Sequence, residues 1–173
     1  MQISSICDSD PVRWNIRLAG LLEFLREHGE RRITFRGCRV LARLTPEQLS
    51  QPGVSLLVAT VRGQNGRQLA GVSFVSGFGK DASLVAVHPL YRNRHTGTAL
   101  LSAQLERLGS LECTVACDNT ASLKMCFNTG LVAVALHDGP TGKPTLLLRS
   151  PLLPGSPSTT LPQEGELLCQ NPS

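Results

Sequence analysis

The residues of this sequence best arranged for chemistry lie in "YRNRHTGTALL" (91–101), between an apolar run and a helical pattern. Where a strand ends near Val87 and a helix opens at Gly97, residues Arg92, Asn93, Arg94, His95, Thr96, Gly97 and Thr98 form the turn before a helix N-terminus. Unpaired N–H groups and the helix dipole make such a turn an anion site. Gly97 lets a ligand approach the backbone without a Cβ in the way, Ala99 keeps the first turn slim, and Arg92 and Arg94 add charge. A pyrophosphate has the length for this loop. There is no Lys-Ser ending of a nucleoside-triphosphate P-loop and no G-x-G-x-x-G dinucleotide fingerprint. An ordinary strand–helix connection with solvent-facing arginines has the same composition, so the loop alone leaves the ligand open.

The surrounding chain supplies elements that can position this turn. "SDPVRWNIRLAGLLEFLREHGERR" predicts a helix capped by Asp10, with Pro11 in its first position, Trp14, Leu18, Leu21, Leu22 and Leu25 on one stripe, and Gly29 as its stop. "ITFRGCRVLARL" reads as a strand broken at Gly37, and "TPEQLSQPG" as a short capped turn. "SLLVATVRG" and "QLAGVSFVSG" read as a hairpin around "GQNGR". "SLVAVHP" is a strand ended by Pro89, and "TGTALLSAQLERLG" a helix with Leu100, Leu101, Leu105 and Leu108 inward. "LECTVAC" is a strand, "NTASLKMCFNTG" a short helix, and "LVAVAL" and "PTLLLR" are strands joined by "HDGPTGK". The order gives a mixed α/β sheet with helices on its faces, a single domain over residues 1–150. Residues 151–173 carry five of the eleven prolines without periodicity and read as a flexible or surface-wrapping tail.

Composition narrows the classes. At 173 residues with 41% hydrophobic content the chain can bury one core. No apolar run approaches the ~20 residues of a membrane span, and "MQISSICDSD" is no signal peptide, which places the expected location in the cytoplasm. The six cysteines form no CxxC pair and read as reduced thiols, with no metal site. Residues 1–150 hold all 17 basic and 11 of the acidic residues, a net +6, but the cations are scattered and aromatics are only 4%. A nucleic-acid interface has a denser basic stripe and more stacking residues.

Two segments together carry a family resemblance. "LVAVHPLYRNRHTGTALL" (84–101) resembles motif A of the Gcn5-related N-acetyltransferases: a strand, a V-x-P-x-Y-R-like exit, then R/Q-x-x-G-x-G/A opening a helix, matched here by Arg94, Gly97 and Ala99. "NTASLKMCFNTGL" resembles the family's downstream N-x-x-A/S, aromatic, G-F pattern through Asn119, Ser122, Gly130 and Leu131. The resemblance covers roughly residues 10–150. It implies a twisted, mostly antiparallel sheet of six to seven strands, with a parallel pair splayed at the cofactor site and about four flanking helices. It also implies an acetyl-CoA site. Val85, Ala86 and Val87 would offer backbone groups to the pantetheine arm, residues 92–98 would wrap the pyrophosphate, and Asn119 would bond the arm or cap the next helix, with Ser122 beside it. An amine of a small molecule or protein would attack the thioester directly, with N–H groups near Val87 steadying the oxyanion.

The sequence departs from the family at one catalytic slot. Cys126 stands where the family carries the tyrosine that protonates the leaving thiolate, and the only tyrosine is Tyr91. Three accounts follow: the Cys126 thiol is the acid, water is, or the protein binds CoA or a protein partner without turnover, as an interaction module. Asp81 and Glu112, at strand starts, are the candidate bases; His88 reads rather as a strand terminator. The region that would build the acceptor site has no acidic cluster for a polycation. Family members often form homodimers, though no apolar stripe in this chain demands one.

Overall fold

The computed structural model describes residues 1–6, 10–30, 32–64 and 66–151. The Pro-rich tail, from residue 152 onward, lies outside the described residues, as do Cys7 and Cys169. Among the described residues, seven strands and four α-helices follow in the order β1 (Gln2–Ser5), α1 (Pro11–His28), α2 (Phe35–Ala42), β2 (Ser55–Gly63), β3 (Gly66–Ser76), β4 (Ala82–Val87), α3 (Thr96–Leu108), β5 (Glu112–Ala116), α4 (Thr120–Asn128), β6 (Val132–Asp138) and β7 (Pro144–Arg149).

α1 forms for the reasons its sequence gives. The Asp10 carboxylate accepts the N–H groups of Val12 and Arg13, Pro11 opens the helix, and the Gly29 N–H closes it on Leu25 O. Its buried face is Trp14, Leu18, Leu21, Phe24 and Leu25, and the Trp14 indole donates to Leu44 O at 2.9 Å. Where the sequence suggests a strand at "ITFRGCRVLARL", the chain instead forms α2. The Thr34 hydroxyl caps it by accepting the Gly37 N–H at 3.1 Å, and only Gly37 and Leu41 are buried, a helical spacing. Gly37 is what lets this helix lie on the sheet, since a Cβ there would stand 2.6 Å from the Leu84 side chain. β1, which the sequence leaves unmarked, is an edge strand recruited by β2.

The strands form two sheets, ordered β1-β2-β3-β4 and β5-β7-β6, and every ladder in them is antiparallel. α1 and α2 cover one face of the first sheet through Leu56, Val58, Val72, Phe74, Leu84 and Ala86. α3 and α4 cover the other face, through Leu100 on one side and Leu101 and Cys126 on the other.

No ladder joins β4 to β5, although each is the edge of its sheet. The two strands are joined by α3 and touch where they begin. The turn Gly77–Gly79 before β4 runs through three left-handed residues, Gly77 (φ +59), Phe78 (φ +56) and Gly79 (φ +99). Gly79 packs so closely on β5 that a Cβ would fall 1.7 Å from Glu112 O. The strands therefore start together and carry no ladder beyond that contact, which leaves an open end at Val87 and Ala116, where the family resemblance implies a splayed parallel pair. Gly79→Ala collides with backbone at a positive φ and should cost roughly 2–4 kcal/mol of unfolding free energy, read from urea denaturation.

Candidate functional site

The open end of this pair is where the sequence-predicted residues meet. The β3–β4 register pairs Gly71 with Val87 and Val72 with Ala86, and the His88 N–H donates to Ala70 O at 2.9 Å. In an antiparallel ladder the hydrogen-bonded residues alternate. Ala86 therefore turns its N–H and C=O to β3, while Val85 and Val87 turn theirs to the unpaired edge facing β5. Of residues 85–87, two present backbone groups to the cleft and Ala86 does not.

α3 begins at Thr96, one residue before Gly97, behind His95 in the left-handed region (φ +59). Asn93 is left-handed too (φ +57). No side chain caps α3, and its first intrahelical bond runs from the Ala99 N–H to His95 O. Thr96 is buried and its hydroxyl donates to Tyr91 O at 3.0 Å, which fixes the turn. Gly97 does not have a positive φ; its need is space, because a Cβ would stand 2.7 Å from Met125 Sδ and 3.5 Å from a Val87 methyl.

The two arginines of the loop differ. Arg92 is tied down: its Nε donates to Val87 O at 3.1 Å, one terminal nitrogen donates to His28 O at 3.0 Å, and the other pairs with Glu30. Arg94 is exposed and has no ion pair among the described residues. Charge at the turn thus comes from Arg94 and the helix terminus, and Arg92 serves as a strut between β4 and α1.

On the other wall, the Asn119 side chain caps α4 by accepting the Ser122 N–H at 3.3 Å, one of the two roles expected for it. Cys126 is buried with its sulfur 3.7 Å from Cys113 of β5. The hydrogen bond to Cys126, and burial after it, push the Cys113 thiol well up, while accepting that S–H lowers Cys126. Cys126 is thus turned into the core between α4 and β5. The α4 side chain that meets the α3 N-terminus is Met125, a position that sequence spacing did not single out and that has no proton to donate. Asp81 and Glu112 lie at the closed end of the splayed strands. Asp81 is exposed in the turn before β4, and Glu112 pairs with Arg149 Nε at 2.6 Å. Six residues of strand separate Asp81 from Val87, about 20 Å at the strand rise. Among the described residues no cluster of potential ligands could hold a metal ion.

The segment between α1 and α2 crosses the open end on the opposite face from α3. His28 O is held by Arg92 after β4, and Arg32 pairs with Asp118 after β5 at 3.0 Å. Asp118 also receives Lys143 from the β6–β7 turn at 2.6 Å. The bond from Lys143 and, after burial's opposing effect, that from Arg32 hold its carboxyl below the usual 3.8. Three segments distant in sequence are thereby joined around one mouth. The His28 ring, 16% exposed, packs edge-on against Phe24 (4.6 Å) and His88 (4.7 Å) beside it.

Comparison with solved structures decides the architecture. A complex of aminoglycoside acetyltransferase AAC(6')-Ib with paromomycin and acetyl-CoA aligns with 86% of this chain and 92% of its own, at 17% identity and a TM-score of 0.55. The ribosomal-protein-S5-alanine acetyltransferase of Vibrio fischeri aligns with 86% and 91%, at 11% identity and 0.61. The chain has the Gcn5-related N-acetyltransferase fold. A spermidine N-acetyltransferase SpeG chimera from Vibrio cholerae and hSSAT shares it over 87% of this chain and 96% of its own, at 10% identity and 0.58. No family model matches the sequence, and no curated protein sequence matches it. Among the described residues no helix is long and apolar enough to cross a membrane.

Burial, then the charge of His88, lower the pKa of His28 below 6.5. The folded state therefore favours the neutral ring, so stability is full above 6.5 and falls as pH drops below it, where the unfolded chain binds the extra proton. His28→Gln should flatten the decline of melting temperature between pH 7 and pH 5, measured by circular dichroism in parallel with the wild type.

Proposed function

We propose that the protein is an acetyl-CoA-dependent N-acetyltransferase that moves the acetyl group directly to an amine. One observation carries this reading: the free edge of β4, with Val85 and Val87 N–H groups, leads straight into the uncapped first turn of α3. An extended, amide-bearing arm ending in a diphosphate matches that sequence of donors. Residues 92–98 would surround the diphosphate, with Arg94 and the N–H groups of Gly97 and Thr98 as direct partners and Arg92, Asn93, His95 and Thr96 shaping the turn. The left-handed conformation at His95 is one that glycine favours, so the R-x-x-G-x-G/A pattern fits the backbone better as Arg92-x-x-His95-x-Gly97, with histidine in the first glycine slot.

In the reaction the neutral amine adds to the thioester carbonyl, the Val87 N–H steadies the oxyanion, the nitrogen of the adduct loses its proton to water, and the C–S bond breaks to release the CoA thiolate. Cys126 faces Cys113 in the core, so water is the better source of the thiolate's proton. A thiol of ordinary pKa, about 8.5, needs little help at neutral pH. The cytoplasm suits an enzyme drawing on acetyl-CoA. The absence of a proton-donating side chain at Met125 is what favours the second reading, a CoA-binding module without turnover.

Isothermal titration with acetyl-CoA tests the site, and release of free thiol with a panel of amines and peptides tests turnover. Micromolar binding is expected. Gly97→Glu, which meets Met125 and sets a carboxylate at the diphosphate, should weaken binding at least about a hundredfold. No binding by the wild type would overturn the proposal; binding without thiol release would leave the module. His95→Gly should relieve the left-handed strain and raise unfolding free energy by roughly 0.5–1 kcal/mol without loss of acetyl-CoA binding.

A further inference from the structure

The exposed face of α2 has a charge pattern that the acetyl-CoA site does not use. Phe35, Arg36, Arg39 and Ala42 are exposed on it, and Arg43, equally exposed, is its C-cap. Among the described residues none of these three arginines has an ion pair. Arg13 is matched by Asp10, Arg26 by Glu23, Arg32 by Asp118, Arg92 by Glu30 and Arg149 by Glu112, while Arg62, Arg67, Arg94 and Arg107 also lack a pair among the described residues; what sets α2 apart is that three unpaired arginines share one short helix face. Positive charges three and four residues apart repel along a helix and weaken it. Phe35, 78% exposed, has the Arg39 guanidinium 5.8 Å from its ring centre. Within this stripe Arg39 and Arg43 suit the C-terminal end of the helix dipole and Arg39 also meets the Phe35 ring, but Arg36 lies in the first turn, where a cation opposes the dipole.

Its position gives it a use. α2 follows directly on the segment that crosses the mouth from Arg92 to Asp118, and it is anchored over β4 through Gly37 and Leu84. Along the axis Arg36 and Arg43 are about 10 Å apart, with steps of about 4.5 and 6 Å, which no single carboxylate can bridge. Alternate residues of an extended peptide lie about 6.6 Å apart, a comparable step.

We propose that this face docks an acidic stretch of a polypeptide acceptor, whose N-terminal amine enters the mouth beside Asp118 while carboxylates downstream lie along Arg36, Arg39 and Arg43. The inference rests on the acetyltransferase reading for the fate of the amine, but the docking itself does not need acetyl-CoA. A polyamine or aminoglycoside is repelled by the same stripe. A nucleic acid is the lesser fit: the stripe holds three cations, its one aromatic ring already lies under Arg39, and Glu47 follows just beyond the helix. Specificity here comes from charge placed beside the reacting centre.

The test is fluorescence anisotropy with a ten-residue peptide, free at its N-terminus, dye-labelled at its C-terminus and carrying Asp and Glu at positions 3–8. Its Asn/Gln counterpart and a single-stranded RNA of equal charge are run alongside. The acidic peptide should bind at least about tenfold more tightly than the neutral one, with the difference shrinking as salt rises. Arg36→Gln/Arg39→Gln/Arg43→Gln should remove that preference, the triple Arg→Lys variant should keep most of it, and Arg13→Gln/Arg26→Gln should leave it unchanged. Melting temperatures of all variants establish that each is folded. Equal binding of the acidic and neutral peptides, an unaffected Gln variant, or RNA binding more tightly through the same arginines would each overturn the proposal. Acetyl-CoA titration is read separately. Arginine-dependent peptide binding without acetyl-CoA binding sinks the acetyltransferase reading alone, and acetyl-CoA turnover indifferent to peptide charge sinks the docking surface alone.

Discussion

The molecule depends on one steric fact: two strands are pressed together at their starts and not hydrogen-bonded beyond. Gly79 has no side chain, and its left-handed backbone lies against Glu112, so β4 and β5 cannot separate there. α3 connects them on one face and must end and begin with them. With no ladder between the strands, the N–H and C=O groups of Val85 and the N–H of Val87 face a gap rather than a partner. A buried or half-buried backbone group without a partner is costly in a protein that has no use for it. The chain runs from this gap to an uncapped helix end, so the unpaired strand-edge groups are followed by the free N–H groups of the first turn of α3. The unpaired edge and the anion-favouring turn are thus two consequences of the same arrangement, not separate devices.

The arginines around the mouth divide by what they touch. Arg92 makes three contacts with the structure itself, to Val87 O, His28 O and Glu30, and Arg32 shares Asp118 with Lys143. Exposed ion pairs are individually weak, about 0–1 kcal/mol. Their value here is geometric, since each one ties together segments distant in sequence. Arg94, Arg36, Arg39 and Arg43 make no such pairs among the described residues. The first group sets the shape of the opening and the second leaves charge available to whatever approaches it.

Much of this was legible because the signals are local. Asp10 and Pro11 cap α1, the alternation in β2 and β3 and the glycine-bearing turn give the hairpin, and the leucines of α3 fall on one face. The α2 segment reads as a strand because Ile33, Thr34 and Val40 are β-branched and Gly37 looks like a breaker. What decides the helix is the Thr34 cap and the close approach of Gly37 to Leu84, and only the latter depends on a residue far along the chain. β1 carries no signal of its own, since its ladder is supplied by β2. In the motif loop, the spacing Arg94-x-x-Gly97 satisfies the pattern in sequence, but the left-handed backbone falls at His95. A pattern of letters records where glycine is usual; it does not record which residue of a given chain takes the conformation.

Cys126 shows the same limit in side-chain length. Sequence register puts it in the slot of a family acid, and α4 does form with Asn119 as its cap, so the register is sound. Yet a tyrosine hydroxyl lies several bonds farther from the backbone than a cysteine sulfur. The short thiol stops in the core beside Cys113, while one residue earlier the long, unbranched Met125 reaches the start of α3. The wall of the cleft opposite Gly97 is therefore apolar and polarizable where the family places a proton donor. Under the proposed acetyl transfer, such a wall would leave the departing thiolate to solvent and make the reaction depend on how freely water enters beside Arg94. Charge at this mouth would then act twice in that scheme, drawing in the acceptor and stabilising the thiolate until it is protonated.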